Sequence, residues 1–211
     1  MIISGHPGTG TTTLIDKLGS LYSLKPEQII KVGDLFRQNS RDKTGHDILG
    51  YYQREITEDL SIDQMQKNLL LDSNPEVVFI LESRLGGFFT NEIGHPPNIV
   101  TLLLTTKEEV RFKRVFERDN PDISFEQYGK EIKQRQEKDL KQWQEAYPDL
   151  RSRASSAYHE VASSAYPQMD TNPLDNPKLY DFQIDNTNLD IDQTVEAVNS
   201  KLMELGAVEE I

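Results

Sequence analysis

Apolar residues along this chain fall into a few dense runs separated by long polar stretches. Ile2-Ile3-Ser4 opens the chain and leads into a glycine-rich turn from Gly5 to Gly10. Ile29-Ile30-Lys31-Val32 ends in Gly33-Asp34, and Val77-Val78-Phe79-Ile80-Leu81 lies between Pro75 and Glu82-Ser83. Asn98 to Thr105 forms a fourth run behind Pro96-Pro97, and Tyr180 to Asp185 a weaker fifth. Unbroken runs of this length suit strands buried on both faces of a parallel sheet better than half-exposed antiparallel strands. Between them the period changes. Leu14, Leu18 and Leu21 predict a helix over Thr12 to Tyr22 that begins inside the glycine-rich turn. Ile191, Val195, Val198, Leu202 and Leu205, spaced 4, 3, 4 and 3, predict an amphipathic closing helix. Residues 35–70 are charged, with scattered apolar positions such as Leu35, Phe36, Ile48, Leu49 and Tyr52, and several short helices on the rim of the core are expected there.

Strands alternating with helices imply right-handed crossovers and a doubly wound α/β sheet, in which ligands sit outside the carboxyl ends of the strands. The polar groups of most interest each follow one of the runs: Gly5 to Thr13 the first, Asp34 the second, Glu82 and Arg84 the third. Residues 150–178 read differently. Ala154-Ser155-Ser156-Ala157-Tyr158 recurs as Ala162-Ser163-Ser164-Ala165-Tyr166, and Pro167, Pro173 and Pro177 follow. Two copies are too few for a solenoid. A helical extension running into a mobile loop is expected.

With 211 residues the chain is long enough for one domain and short for two. Its hydrophobic fraction of 36% is low, and its net charge of −12 argues against non-specific binding to nucleic acid or to an anionic membrane. A single nucleotide is a different matter, because it needs only a few converging cations and backbone N–H groups. The chain has no cysteine, which removes disulfides and thiolate zinc sites. No apolar run approaches a membrane span, and the N-terminus leads straight into the glycine-rich turn with no room for a signal peptide, so a cytoplasmic protein is expected.

The turn itself carries the chemistry. In the pattern G-x-x-x-x-G-K-S/T, glycines let successive backbone N–H groups point at phosphates, the following helix adds its dipole, and its first hydroxyl binds Mg²⁺. Gly5 and Gly10 take the two fixed glycines, with Gly8 and Thr9 between them, and Thr12 takes the Mg²⁺ position ahead of Thr13. Thr11 stands where the lysine belongs. That lysine ordinarily stabilises charge on the transferring phosphoryl group. Six of the ten arginines lie between residues 111 and 153, so replacement cations are at hand. Arg111, Arg114 and Arg118 form one stripe at spacings of 3 and 4, alongside Glu108, Glu109 and Glu117, which can claim some of them as ion pairs. His6, His46, His95 and His159 lack metal-ligand spacing, and Trp143 with Tyr147 reads as packing.

At this level of detail the sequence resembles a family. Gly5-His6-Pro7-Gly8-Thr9-Gly10-Thr11-Thr12-Thr13 is similar to the loop of archaeal-type cytidylate kinases, where a threonine also takes the lysine position. Val32-Gly33-Asp34-Leu35-Phe36-Arg37 is similar to their G-D-I/L-F-R segment. Ile80-Leu81-Glu82-Ser83-Arg84-Leu85-Gly86-Gly87 is similar to a segment in which Ser83 replaces a glycine. Glu131 to Asp139 resembles the E-I-x-x-R-x-x-x-D lid segment of cytidylate kinases generally. The motifs occur in family order over residues 1–140.

The resemblance implies a P-loop three-layer sandwich in one domain, 1–211: a five-stranded parallel sheet flanked by helices, acceptor-binding helices at about 35–70, a helical lid at about 111–150 and an atypical insertion at about 150–178. It implies a monomer that transfers the γ-phosphate of ATP, with Mg²⁺, to CMP or dCMP. Gly5, Gly8, Thr9, Gly10, Thr11, Thr12 and Thr13 would bind ATP, and Thr12 with Glu82, through water, the metal. Arg37 and Arg84 would hold the acceptor phosphate, with Asp34, Asp63 and Asp139 on the acceptor. Asp34 reads equally as a helix cap, and Asp63, with Gln66 in a D-x-x-Q spacing, equally as a solvated helix position. Asp139 either meets the acceptor sugar or fixes Arg135. Arg114, Arg118 and Arg135 would close over the phosphates. Two other readings compete: another small-molecule kinase on this scaffold, of the shikimate or gluconate type, and a nucleotide-binding module that has lost phosphotransfer.

Overall fold

The computed structural model describes residues 1–36, 56–72, 77–119, 121–147 and 172–208. Within these, five strands form one parallel sheet: β1 (Ile2–Gly5), β2 (Ile29–Lys31), β3 (Ile80–Glu82), β4 (Thr101–Thr105) and β5 (Phe182–Asp185). Their order is β2-β3-β1-β4-β5. All four pairings are parallel, with Ile3 beside both Glu82 and Leu102, and Gly5 beside Leu104. The chain winds from β1 out to one edge, returns to β3, then crosses β1 to build the other half. β1 therefore ends where the winding reverses, the place where such sheets open a crevice.

Adjacent residues of the central strands serve opposite faces. Ile2, Leu81 and Leu103 point to one side, covered by Phe88 and Phe89 of α3 (Gly86–Glu92) and by Ile62 and Leu70 of α2 (Ile56–Leu71). Ile3, Ile80, Leu102 and Leu104 point to the other. There α1 (Thr11–Leu21) contributes Leu14, Ile15 and Leu18, and α6 (Ile191–Glu204) contributes Val198 and Leu202. Burial on both faces is why these strands read as unbroken apolar runs. Each such side chain contributes about 1.5–3 kcal/mol. Helix α6 begins with a capping box, in which Asp190 accepts from the Gln193 amide and Gln193 reaches back to the Asp190 amide.

Several boundaries differ from the sequence expectation. Val77 and Val78, β-branched and apolar, are exposed and precede β3. Residues 32–36 are helical, so Val32 leaves the second strand and packs into the core. Of the stretch 35–70, where several short helices are expected, residues 37–55 lie outside the described residues; the described part includes α2, a helix of 16 residues. Residues 172–178, assigned to a mobile loop, instead make two 3₁₀ turns, Pro173–Asp175 and Pro177–Leu179, capped by Asn172 and Asn176. Leu174 between the caps is buried in the same core as Phe88. Residues 148–171, and with them the Ala-Ser-Ser-Ala-Tyr repeat, lie outside the described residues.

Candidate active site

The glycine-rich turn joins β1 to α1. Gly8 sits at φ +89, and a Cβ there would lie 2.3 Å from the Arg111 carbonyl oxygen. Gly10 takes φ +90 at the start of α1, a left-handed conformation that favours glycine. Being glycine, it offers no side-chain cap. The first intrahelical bond runs from the Leu14 amide to the Gly10 carbonyl, 3.0 Å. The amides of Thr11, Thr12 and Thr13 precede that bond, and all three residues line a cavity of about 730 Å³. A strand end, left-handed glycines and a helix start with uncapped amides make a cradle for an anion of phosphate type.

Glu82, at the end of β3, accepts from both threonine hydroxyls beside it: Thr11 Oγ1 at 2.7 Å and Thr12 Oγ1 at 3.0 Å. A hydroxyl and a carboxylate side by side at the mouth of a phosphate cradle are oxygen donors of the kind Mg²⁺ takes while keeping several waters. The residues present thus fit a Mg²⁺–triphosphate. Thr9 behaves differently. It is buried, its hydroxyl donates to the His6 carbonyl at 2.8 Å, and its own carbonyl accepts from Asn186 Nδ2 at 2.8 Å. It shapes the turn and does not line the cavity.

The rest of the cavity wall comes from β3 and the two helices α4 (Glu108–Asp119) and α5 (Phe125–Ala146). These pack on each other through Phe112, Val115 and Ile132. Arg84, Arg114, Arg118 and Arg135 all line the cavity, against the carboxylates of Asp63, Glu82 and Asp139. Arg84 Nη1 donates to Asp139 Oδ2 at 2.8 Å, and its guanidinium lies 4.7 Å from the centre of the Trp143 ring. Asp139 therefore orients Arg84, and Trp143 is a wall of the cavity as well as a packing residue. Arg114 leans on Asn186, with Nη1 3.5 Å from Oδ1 and Nη2 3.4 Å from the carbonyl.

Arg111, third member of the stripe, turns away. It is buried beside Phe112 and paired with Glu108 at 3.6 Å. Burial pulls its pKa down, against the opposing pull of Glu108 and Asp175. On Arg118 the hydrogen bond to Asp119 leads the influences that raise its pKa. Burial pushes Asp119 up, but hydrogen bonds from Arg118 and Tyr128 outweigh it and hold the carboxyl below its usual range.

Asp63 and Gln66 on α2 are buried, at 5% and 1% exposure, and line the cavity. Tyr147 OH donates to Asp63 Oδ2 at 2.5 Å, Gln66 Nε2 to Asp63 Oδ1 at 3.0 Å, and Ser83 Oγ to Gln66 Oε1. A solvated helix position is thereby excluded for both. Asp34 is exposed and is not part of the lining, although its neighbours Gly33 and Phe36 are. Arg37 lies outside the described residues.

Two residues that sequence reasoning passed over belong here. Asn186, just past β5, ties the phosphate cradle, Thr106 and Arg114 together. His6 bridges the cradle to two other segments, with Nε2 2.8 Å from Asp175 Oδ1 and Nδ1 accepting from Gln136 at 3.3 Å. The His6 hydrogen bond holds the Asp175 carboxyl below its ordinary range. Their partners lie 72 to 177 residues away in sequence, so no local pattern announced them. Among the described residues no helix is long and apolar enough to cross a membrane.

No family model matches the chain. Over 127 residues it is 31% identical to the cytidylate kinase of Methanosarcina barkeri, covering 59% of this chain and 65% of that protein, just under two thirds of its length. Over 155 residues it is 32% identical to the cytidylate kinase of Methanopyrus kandleri, covering 69% of this chain and 74% of that one. Among solved structures, an uncharacterized protein from Eubacterium ventriosum shares the fold with a TM-score of 0.56 at 14% identity, covering 96% of each chain.

Proposed function

The chain belongs to the archaeal cytidylate kinase family, and from that premise we propose that it is a nucleoside monophosphate kinase, transferring the γ-phosphate of ATP to CMP or dCMP with Mg²⁺. The observation that carries the reading is convergence. The phosphate cradle, Glu82, four arginines and the Asp63–Gln66 pair open into one cavity of about 730 Å³, large enough for two nucleotides' reacting ends.

The reaction makes one P–O bond and breaks another. An oxygen of the acceptor's phosphate attacks the γ-phosphorus, and the bond from that phosphorus to the β,γ-bridging oxygen breaks, releasing ADP. Little covalent chemistry falls to the protein, so catalysis is positioning plus charge neutralisation. The cradle amides and the helix dipole of α1 hold the triphosphate. Thr12, and Glu82 through water, would hold Mg²⁺, which would supply charge neutralisation to the phosphates. Arg84, paired with Asp139 and set against the Trp143 ring, presents its guanidinium fork to the acceptor phosphate, with Arg37 as a second ligand. Asp63 and Asp139 face the acceptor nucleoside, and Asp34 stands nearby. Arg114, Arg118 and Arg135 supply the charge that Thr11 lacks.

The functional organisation follows: one domain over 1–211, with acceptor-binding elements at 35–70 and a lid at 111–150, working as a cytoplasmic monomer without nucleic acid or membrane. A lid that excludes water prevents wasteful hydrolysis of ATP. A coupled assay offering ATP·Mg²⁺ with CMP, dCMP, UMP, AMP, shikimate and gluconate tests the assignment. Turnover is expected on CMP and dCMP. Turnover confined to shikimate or gluconate, or ATP binding without turnover on any acceptor, contradicts it.

A further inference from the structure

We propose that Tyr128 and Asp119 are positioning residues that aim Arg118 at the transferring phosphoryl group. The inference rests on the kinase reading above and deepens it, from one cation to the two side chains behind it.

Arg118 lines the cavity from the last turn of α4, yet its side chain is 68% exposed. An arginine so placed has several rotatable bonds and water on most sides, and a lone surface ion pair would scarcely restrain it. Its partner is the next residue in sequence, and neighbours at i and i+1 do not face each other on a helix. A second anchor, from the other helix, fixes the pair. Arg118 Nε donates to Asp119 Oδ1 at 2.6 Å, and Tyr128 OH donates to Asp119 Oδ2. The carboxylate is thus engaged at both oxygens, one by α4 and one by α5. The phenol is held in its turn: its ring packs against Phe112, Val115 and Ile132, with the Phe116 ring centre 5.6 Å away in an edge-on arrangement. Asp119 also feels the charge of Arg135, which helps to keep its carboxyl below the usual range.

The polarity of this relay decides what Arg118 can still do. A guanidinium carries five N–H donors. The bond to Asp119 uses the one on Nε, so the four on Nη1 and Nη2 remain for the oxygens of a phosphoryl group, which they can meet in pairs. A carboxylate so close also offsets part of the arginine's charge. Orientation and charge therefore predict opposite outcomes when Asp119 is removed.

The test is a double-mutant cycle on the single-turnover rate of phosphoryl transfer from ATP·Mg²⁺ to CMP. Tyr128→Phe removes one hydroxyl and keeps the ring. It should lower that rate about three- to tenfold, while the dissociation constant for ATP changes by less than about twofold. In an Arg118→Ala background, itself slower than wild type, the same change should alter the rate by less than about twofold, because nothing is left to aim. Asp119→Ala, at an exposed position, is an independent arm and should also be slower than wild type. A merely structural role for Tyr128 would give equal losses in the two backgrounds, and that result overturns the inference. So does Tyr128→Phe or Arg118→Ala at the wild-type rate, or Asp119→Ala as fast as wild type or faster. Wild-type protein that forms no CDP defeats the kinase reading and this inference with it, and is told apart by the absence of any rate to compare.

Discussion

Thr11 takes the lysine's place in the phosphate loop and spends its hydroxyl on Glu82, 2.7 Å away, so it brings no positive charge to the cradle. Among the described residues, Arg84, Arg114, Arg118 and Arg135 bring positive charge to the cavity. A lysine on the cradle would act in the ground state and the transition state together. Guanidinium groups carried by helices α4 and α5 line the same cavity as the cradle, and in the proposed reaction they would meet the charge that develops on the transferring phosphoryl group. Arg135→Ala should therefore lower kcat by about 10²-fold or more, while the dissociation constant for ATP, measured by equilibrium titration, moves by less than about fivefold. Equal losses in the two quantities would mean that Arg135 is a binding residue only.

At the scale of elements, the distinction is between residues that announce their element and residues that tie elements together. The buried runs and the 4-3-4-3 spacing of the closing helix were legible because a strand buried on both faces and a helix buried on one leave periodic signatures. Helix α2 left none. Two of its inward positions, Asp63 and Gln66, are polar, and their burial is made tolerable by Tyr147 and Ser83, far away in sequence. The strand at 77–81 was overcalled because β-branching at Val77 and Val78 reports a backbone preference, whereas pairing begins only at Ile80. Asn186 shows the same blindness for function: a lone asparagine after a strand reads as turn chemistry. Yet its side chain reaches Thr9, Thr106 and Arg114. Asn186→Ala leaves the buried Thr9 carbonyl without that bond, a cost of about 1–3 kcal/mol in unfolding free energy. Its kcat/KM for ATP should fall further than its kcat/KM for CMP, since the cradle and Arg114 lose their common anchor. Unchanged denaturant midpoints and unchanged ATP parameters would sink that role.

On the scale of the molecule, a strongly acidic chain concentrates arginines around one cavity at the end of its central strand. The topology explains why. Because β1 ends where the winding reverses, the cradle after β1, Glu82 and Arg84 after β3, and Asn186 after β5 open on the same edge of the sheet, and the pair α4–α5 closes the space between them. The order of motifs along the sequence made that edge readable. The grip of Asp139 and Trp143 on Arg84, the retreat of Arg111 to Glu108, and the bridge from His6 to Asp175 depend on how distant segments meet, and only the assembled structure reveals them. The central claim is that this single cavity moves a phosphoryl group from one nucleotide to another without a loop lysine. Its most direct test follows γ-labelled ATP, with Mg²⁺ and CMP, to its products. The account predicts label in CDP in amounts equal to the ADP formed. Label that remains in ATP, or that appears only as inorganic phosphate, would contradict it.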